Sequence, residues 1–216
     1  MKIVCQLSGG ADSALALIKT RERWPDAEVH TLFIDYNQVC REQEYRAALS
    51  ISKKLGIEEL HCLRLPNLWK SGGMIEGEYA SEANVYTPLR NLVLLGMSLA
   101  YAESIGADTV VTGSKGHSKV EADPHSYYDS TLAFHTLMEM VWFYTTEKKR
   151  NVQIVPILSQ GHKNTLLKEE VYSQLIQNGI KYEDTWSCFR GGEYECGECT
   201  NCIVKRRCYE TKNNAG

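Results

Sequence analysis

The sequence predicts an α/β fold, in which a parallel sheet carries helices on both faces and a small cysteine-rich segment follows at the C-terminal end. Short apolar runs alternate with segments of helical periodicity over most of the chain. Glycines close several of the helical segments. The 216 residues are 43% hydrophobic and 24% charged, which is ordinary globular composition and excludes disordered and fibrous classes.

The first part of the chain contains three predicted strands and two predicted helices. In order, they are a strand at 2–7, a helix at 12–24, a strand at 28–34, a helix at 43–55 and a strand at about 60–65. The segment 69–86 is rich in Gly, Ser and Glu and has little periodicity. It predicts a long loop near a functional site.

The same alternation continues in the second part of the chain. In order, it predicts a helix at 88–105, a strand at 109–112, a polar segment at 114–126, a helix at 127–146, a strand at 152–157 and a helix at 164–177. Residues 1–180 are therefore expected to form one α/β domain, with residues 181–216 packed on it. In such sheets, ligands bind beyond the carboxyl ends of the strands.

The turn between the first strand and the first helix has the composition of a phosphate-binding loop. It reads Leu7-Ser8-Gly9-Gly10-Ala11-Asp12-Ser13. Two glycines allow a close approach of the backbone to a ligand, and the helix start offers unpaired N–H groups at a positive dipole end. The Walker and dinucleotide-binding patterns are absent. The alternative is an ordinary turn in which Asp12 or Ser13 caps the helix.

Four of the eight cysteines are crowded into fifteen residues near the C-terminal end. They are Cys188, Cys196, Cys199 and Cys202. Four thiolates in one short segment can close a tetrahedral zinc site, which is structural because no position stays open. An iron–sulfur cluster uses the same ligands and is the alternative. The remaining cysteines are expected to be ordinary thiols: Cys5, Cys40, Cys62 and Cys208.

Charge and hydropathy restrict the partners and the location. The net charge of −3 lacks the basic excess that duplex nucleic-acid binding relies on, so nucleic acid is not an expected partner. No apolar run approaches the ~20 residues of a membrane span, and no signal peptide is recognisable. We therefore expect a cytoplasmic protein without membrane association, and a homodimer is one option for its assembly.

The glycine-rich turn resembles the pyrophosphate-binding loop of the ATP pyrophosphatases, which have an adenine nucleotide alpha hydrolase-like fold. That family adenylates a carbonyl oxygen before a nucleophile attacks. The resemblance implies that ATP contacts Leu7, Ser8, Gly9, Gly10, Ala11, Asp12, Ser13, Ala14, Leu15 and Gly113. It also places Asp12 near a magnesium ion, which prefers oxygen ligands and commonly bridges carboxylates and phosphates.

Nearly the whole chain resembles the 7-cyano-7-deazaguanine synthases. The motifs that carry the resemblance are Ser8–Ser13, Tyr36-Asn37-Gln38, Pro88-Leu89-Arg90-Asn91, Pro156-Ile157 with Lys163, Thr185–Phe189 and Cys196–Cys202. The resemblance implies conversion of 7-carboxy-7-deazaguanine to the nitrile with ATP and ammonia, through an adenylate and an amide. It also implies a structural zinc ion.

The resemblance carries over a set of site residues. The implied catalytic residues are Asp12, Arg90 and Lys163, and the implied substrate-binding residues are Gln38, Arg90 and Asn91. Two acids, Asp123 and Asp129, are added as further substrate-binding candidates. Asp123 and Asp129 are candidates by composition alone, because the family's acidic stretch after Gly113 is not kept. For Arg90 and Lys163, the alternative is a solvated side chain at a helix start.

Further departures from the family leave other functions open. Val39-Cys40 stands where the family has a histidine, and Asn37 and Leu89 each stand where it has a glycine. One alternative is a related adenylating amidase that stops at the amide, or that acts on a deazapurine of DNA modification or on a protein carboxylate. A lesser alternative is a zinc-ribbon module that binds nucleic acid or protein.

Overall fold

The computed structural model describes residues 1–65, 67–70, 73–76, 86–115, 128–147, 152–159 and 166–213. The strands are β1 (Lys2–Gln6), β2 (Glu28–Asp35), β3 (Leu60–Arg64), β4 (Thr109–Thr112) and β5 (Gln153–Pro156). The helices are α1 (Ala11–Arg23), α2 (Arg41–Lys54), α3 (Gly73–Glu76), α4 (Arg90–Ile105), α5 (Leu132–Thr145), α6 (Lys168–Gln177) and α7 (Thr200–Asn213). Two 3₁₀ turns occupy Tyr128–Ser130 and Tyr182–Asp184.

The five strands form one parallel sheet in the order β3-β2-β1-β4-β5. The central strand is β1, where Ile3 lies opposite Val29 on one side and Thr109 on the other. The chain builds the sheet outward from β1 to β3, then returns to the centre and builds the other half from β4. The strand order therefore reverses between β1 and β4, and such a reversal is where open α/β sheets bind ligands.

Two hydrophobic clusters cover the two faces of the sheet, because successive side chains of a strand point to opposite sides. In β1, Ile3 and Cys5 belong to one cluster and Val4 to the other. The first cluster includes residues of α1, α2 and α6, and the second includes residues of α4 and α5. This arrangement confirms the predicted fold class, a parallel sheet with helices on both faces.

Several helix starts differ from the sequence prediction, and local geometry explains two of them. The helix expected from residue 88 begins at Arg90, because Leu89 adopts a left-handed conformation with φ of 53°. The helix expected from residue 127 begins at Leu132, where the Thr131 hydroxyl caps the N–H of Phe134 at 3.2 Å. The last helix, α7, was not predicted from the sequence.

The C-terminal segment packs against the α/β domain. Residues of α7 contact the first core cluster, and the Tyr209 hydroxyl donates to the Ile180 carbonyl at 3.0 Å. On the basis of these contacts, we propose that residues 181–216 form a segment packed on the α/β domain of residues 1–180. Among the described helices, none is both long and apolar enough to cross a membrane.

Candidate active site and metal centre

The glycine-rich loop lies between the carboxyl end of β1 and the start of α1. Gly9 has φ of 81°, and a Cβ atom there would lie 2.3 Å from the Glu44 carbonyl oxygen of α2. Glycine is therefore required both by the left-handed backbone and by the close packing of α2. The Ser13 hydroxyl accepts from the Ser8 N–H at 3.2 Å and donates to the Gly10 carbonyl at 3.0 Å. These bonds fix the loop, and Ser8 itself is exposed.

Gly113 seats the start of α1 against the end of β4. A Cβ atom at Gly113 would lie 2.9 Å from the Ser13 nitrogen and 3.0 Å from the Asp12 carbonyl oxygen. The glycine thus lets the first turn of α1 approach the point where the strand order reverses. The first turn of a helix leaves its N–H groups without partners inside the helix, so the start of α1 is a candidate anion site at this point of the sheet.

A cavity of about 290 Å³ opens beside this loop. Its lining includes eight of the predicted site residues: Leu7, Ser8, Asp12, Ser13, Gln38, Arg90, Asn91 and Gly113. Apolar side chains of Leu32, Ile34, Met74 and Leu94 form other parts of the wall. The structure therefore joins the phosphate-type loop and three of the predicted substrate residues in one cavity.

Two lysines lie beside the Asp12 carboxylate, one at each of its oxygens. The ammonium group of Lys168 forms an ion pair with Asp12 Oδ2, and Lys115 Nζ lies 3.9 Å from Oδ1. The Oδ1 atom is buried without a hydrogen-bond partner among the described residues. An unsatisfied carboxylate oxygen at the cavity wall fits a magnesium ion or its bound water. Sequence analysis missed Lys168, which shows no pattern apart from its place at a helix start.

The side-chain amide of Gln38 makes its hydrogen bonds within the protein. Its Oε1 accepts from the Tyr36 N–H at 2.9 Å, and its Nε2 donates to Glu44 Oε2 at 2.9 Å. Glu44 lines the cavity beside Arg90 and was also missed by sequence analysis. Burial raises the pKa of Glu44 to about 7, although the bond from Gln38 and the Arg90 charge act in the opposite direction. The helical spacing of α2 alone did not single it out.

The other predicted site residues lie elsewhere. Lys163 and Asp123 lie outside the described residues. Asp129 occupies the 3₁₀ turn before α5 and does not line this cavity. Ala14 and Leu15 are fully buried in the core, so their side chains support α1. Gly10 and Ala11 form its N-terminal boundary.

Two departures from the family motifs fall at positive-φ positions. Asn37 has φ of 65° and Leu89 has φ of 53°. Both stand where the resembling family has a glycine, which adopts this conformation readily. Asparagine tolerates the left-handed region, whereas leucine does so at a cost of roughly 1–2 kcal/mol. The backbone thus keeps the glycine conformation at both places.

The four predicted cysteine ligands converge in one cluster. The Sγ atoms of Cys188, Cys196, Cys199 and Cys202 all lie within 4.8 Å of one another. The Cys188 sulfur accepts N–H groups of Arg190 at 3.3 Å and of Cys196 at 3.4 Å. Burial raises the pKa of Cys196, but N–H donors, chiefly Cys199, outweigh it and bring the pKa to about 7. Burial raises the pKa of Cys188 and of Cys202, so the capacity of the cluster to hold a metal ion rests on the convergence of its four sulfur atoms.

The cysteine segment also contacts the glycine-rich loop and α2. The Trp186 N–H donates to the Gly9 carbonyl at 2.9 Å. The Cys40 thiol donates to the Cys188 carbonyl at 3.3 Å, and the Gln43 amide donates to the Gly192 carbonyl at 2.6 Å. The segment that carries the clustered cysteines therefore also supports the glycine-rich loop.

Fold and site together define a protein of the PP-loop class, in which the first strand of a parallel sheet ends in a glycine-rich loop at the switch point. Two solved structures are similar in fold. One is the U34-tRNA thiolase NcsA from Methanococcus maripaludis with its [4Fe-4S] cluster, at a TM-score of 0.51 and 14% identity over 99% of this chain. The other is a 4-thiouridine synthetase in complex with RNA and ATP, at a TM-score of 0.50 and 15% identity over 99% of this chain. The chain spans 66% and 51% of these two proteins.

The family model for "Queuosine biosynthesis protein QueC" matches residues 2–213, so the chain belongs to the QueC family. Curated relatives are named 7-cyano-7-deazaguanine synthase. The protein from Acidobacterium capsulatum is 29% identical, covering 96% of this chain and 91% of the relative. The protein from Prochlorococcus marinus strain MIT 9301 is 30% identical, covering 96% and 93%.

Proposed function

We propose that this chain is a 7-cyano-7-deazaguanine synthase, an ATP-dependent ligase that converts 7-carboxy-7-deazaguanine and ammonia to the nitrile through an adenylate and an amide. The single observation that carries this proposal is the shared cavity beside the loop of Ser8 and Asp12, which also holds Arg90 and Asn91. Adenylation requires the α-phosphate and a carboxylate to meet, and one cavity with phosphate-binding and carboxylate-binding ends provides that proximity. Membership of the QueC family supports the same reaction.

The residues of the cavity have complementary roles in adenylation. The N–H groups at the start of α1 and the Ser8 hydroxyl bind the leaving pyrophosphate. Lys168 orients the Asp12 carboxylate and adds positive charge beside the phosphates. A magnesium ion bound with ATP would be held by Asp12 Oδ1 and would draw negative charge from the phosphates.

Arg90 is the residue that we assign to the substrate carboxylate or to the α-phosphate. It begins α4 at the cavity wall, and its planar guanidinium can donate two parallel hydrogen bonds to either group. After the carboxylate displaces pyrophosphate, ammonia displaces AMP and leaves the amide. A second ATP activates the amide oxygen, and loss of that oxygen with AMP yields the nitrile.

We propose zinc as the metal of the cysteine cluster. A Zn–S distance of about 2.3 Å in a tetrahedral site places the sulfurs roughly 3.8 Å apart. The Cys196–Cys202 and Cys199–Cys202 sulfur distances are 3.9 and 3.3 Å. An iron–sulfur cube would hold its four cysteine sulfurs farther apart than a single ion does. Elemental analysis should find one zinc ion per chain, and iron with visible absorption would refute this assignment.

The product of the reaction tests the function directly. Purified protein with ATP, ammonium and 7-carboxy-7-deazaguanine should give the nitrile, identified by mass spectrometry. Asp12→Asn should remove most turnover but keep the wild-type circular dichroism, because Gly10 occupies the N-cap position of α1 and no side chain caps this helix. A product that stops at the amide would instead favour the related amidase. No product from this substrate would refute the proposal. Because the reaction consumes ATP, we place it in the cytoplasm.

A further inference from the structure

We propose that Glu44 is the general base that removes a proton from ammonium and delivers ammonia to the acyl adenylate. This inference rests on the proposed function. Ammonia is mostly protonated at neutral pH, and ammonium has no electron pair with which to attack a carbonyl carbon. The enzyme therefore needs a carboxylate that both attracts the cation and accepts its proton.

The position of Glu44 places a carboxylate beside the reacting groups. The backbone of Glu44 packs directly on Gly9, whose missing Cβ leaves the space for the Glu44 carbonyl. Its side chain lines the same cavity as Ser8, Asp12 and Arg90. The carboxylate therefore faces the space in which the phosphate loop and the substrate residues meet.

One oxygen of the Glu44 carboxylate is held by a hydrogen bond from Gln38. Oε2 accepts from Gln38 Nε2 at 2.9 Å, and Gln38 is itself fixed by the Tyr36 N–H and is only 1% exposed. This rigid relay orients the carboxylate without neutralising it, because an amide donor carries no charge. Gln38 is accordingly a positioning residue for Glu44, which explains why an amide predicted to bind substrate makes its bonds inside the protein.

Among the charged and titratable groups around Glu44, Glu44 is the one placed to gain or lose a proton near neutral pH. Burial raises its pKa to about 7, so that it is largely ionised above that pH and protonated below it. Arg90 lines the same cavity, and its positive charge acts to lower the pKa of Glu44. Burial raises the pKa of Cys40 to about 12, and burial also raises the pKa of Tyr36. Asp12 lines the cavity as well, but it is paired with Lys168.

The chemical step balances with Glu44 as the proton acceptor. Ammonium transfers one proton to the Glu44 carboxylate, and the freed electron pair forms the C–N bond at the adenylate carbonyl. The C–O bond to the phosphate then breaks, and AMP leaves with that electron pair. The nitrogen loses its second proton to water, so that the neutral amide, AMP and two protons are the products of ammonium and the adenylate.

The two halves of the proposed reaction distinguish a base for ammonium from a residue that binds nucleotide or deazapurine. Conversion of the acid to the amide consumes ammonium, whereas conversion of the amide to the nitrile consumes ATP but no ammonium. The test compares wild type with Glu44→Gln in each half, starting from 7-carboxy-7-deazaguanine or from its 7-amide. Glutamine still accepts the bond from Gln38. Glu42→Gln is the matched control, because Glu42 lies in the same helical turn and is exposed.

The expected result is a selective loss. Glu44→Gln should lower kcat/KM for ammonium at least ~100-fold and abolish the fall of that parameter below about pH 7. The amide-to-nitrile half should stay within about twofold of wild type, and Glu44→Asp should recover part of the amidation. Glu42→Gln should behave as wild type in both halves.

Three results would overturn the assignment. An equal loss in both halves would show that Glu44 serves nucleotide binding or folding. A raised KM for the deazapurine in both halves would show that Glu44 binds the deazapurine. Unchanged amidation would show that Glu44 does not accept the proton of ammonium. In each case the wild-type protein still makes the nitrile. A wild type that converts neither substrate would instead refute the proposed function, and the role of Glu44 with it.

Discussion

A glycine-to-alanine pair tests whether the start of α1 is seated by Gly113. In Gly113→Ala, the new Cβ would meet the Ser13 nitrogen at 2.9 Å and two Asp12 backbone atoms at 3.0 Å. These are backbone atoms, so the first turn of α1 must shift. Overpacking of this kind costs about 1–3 kcal/mol, and the reduced freedom of the unfolded chain offsets roughly 0.4–1 kcal/mol of it. We expect a net loss of about 1–2 kcal/mol.

Gly96→Ala is the matched substitution elsewhere in the fold. Gly96 lies inside α4, and a Cβ there would meet nothing within 4 Å. Alanine in a helix interior should raise the stability by about 0.5–1 kcal/mol. Urea unfolding followed by circular dichroism should therefore give opposite signs for the same chemical change. Calorimetric titration with ATP should show at least ~10-fold weaker binding for Gly113→Ala, equivalent to ~1.4 kcal/mol, and unchanged binding for Gly96→Ala.

The refuting results are specific to each measurement. If Gly113→Ala is as stable as wild type, the close packing between β4 and α1 is not as the structure has it. If it is destabilised but binds ATP normally, the start of α1 is not the nucleotide site. Weaker ATP binding in Gly96→Ala would point to a global effect of either substitution rather than to the loop.

Three other perturbations have expected outcomes that follow from the contacts. Burial holds the pKa of Glu44 above its unfolded value, so the contribution of this group to stability falls as pH rises toward 7. Relative to wild type, Glu44→Gln should gain up to about 3 kcal/mol in urea unfolding at pH 8 and little at pH 4. Lys168→Ala should lower kcat/KM for ATP about 10- to 100-fold in a pyrophosphate-release assay, with less than ~1 kcal/mol lost in stability, because the Lys168–Asp12 pair is partly exposed. Cys202→Ser should lower metal content and melting temperature together, at about 2–4 °C per kcal/mol.

The sequence predicted the fold because its patterns are local and repeated. The strand at Thr109–Thr112 was predicted with its observed bounds, and the four metal-type cysteines were recognised by spacing alone. The loop from Ser8 to Ser13 was recognisable because glycines, hydroxyls and an acid follow directly on an apolar strand. Each of these features is contained within a few consecutive residues.

The features that were missed depend on contacts between distant residues. Lys168 meets Asp12 across 156 positions, and nothing in its own neighbourhood distinguishes it from a solvated lysine. Glu44 is one of two acids in α2, and its place at the cavity follows from the packing of that helix against Gly9. The helix α7 is polar and carries one of the clustered cysteines, Cys202, so its periodicity is weak.

The hydrogen bond from the backbone N–H of Trp186 to the Gly9 carbonyl has a consequence for folding during translation. During synthesis, the glycine-rich loop leaves the ribosome long before its partner does. At about 5–20 residues per second, the intervening 177 positions (186 minus 9) take roughly 9–35 s to translate. A nascent chain therefore lacks this contact through most of its synthesis, and the glycine-rich loop acquires it only after the tryptophan has emerged.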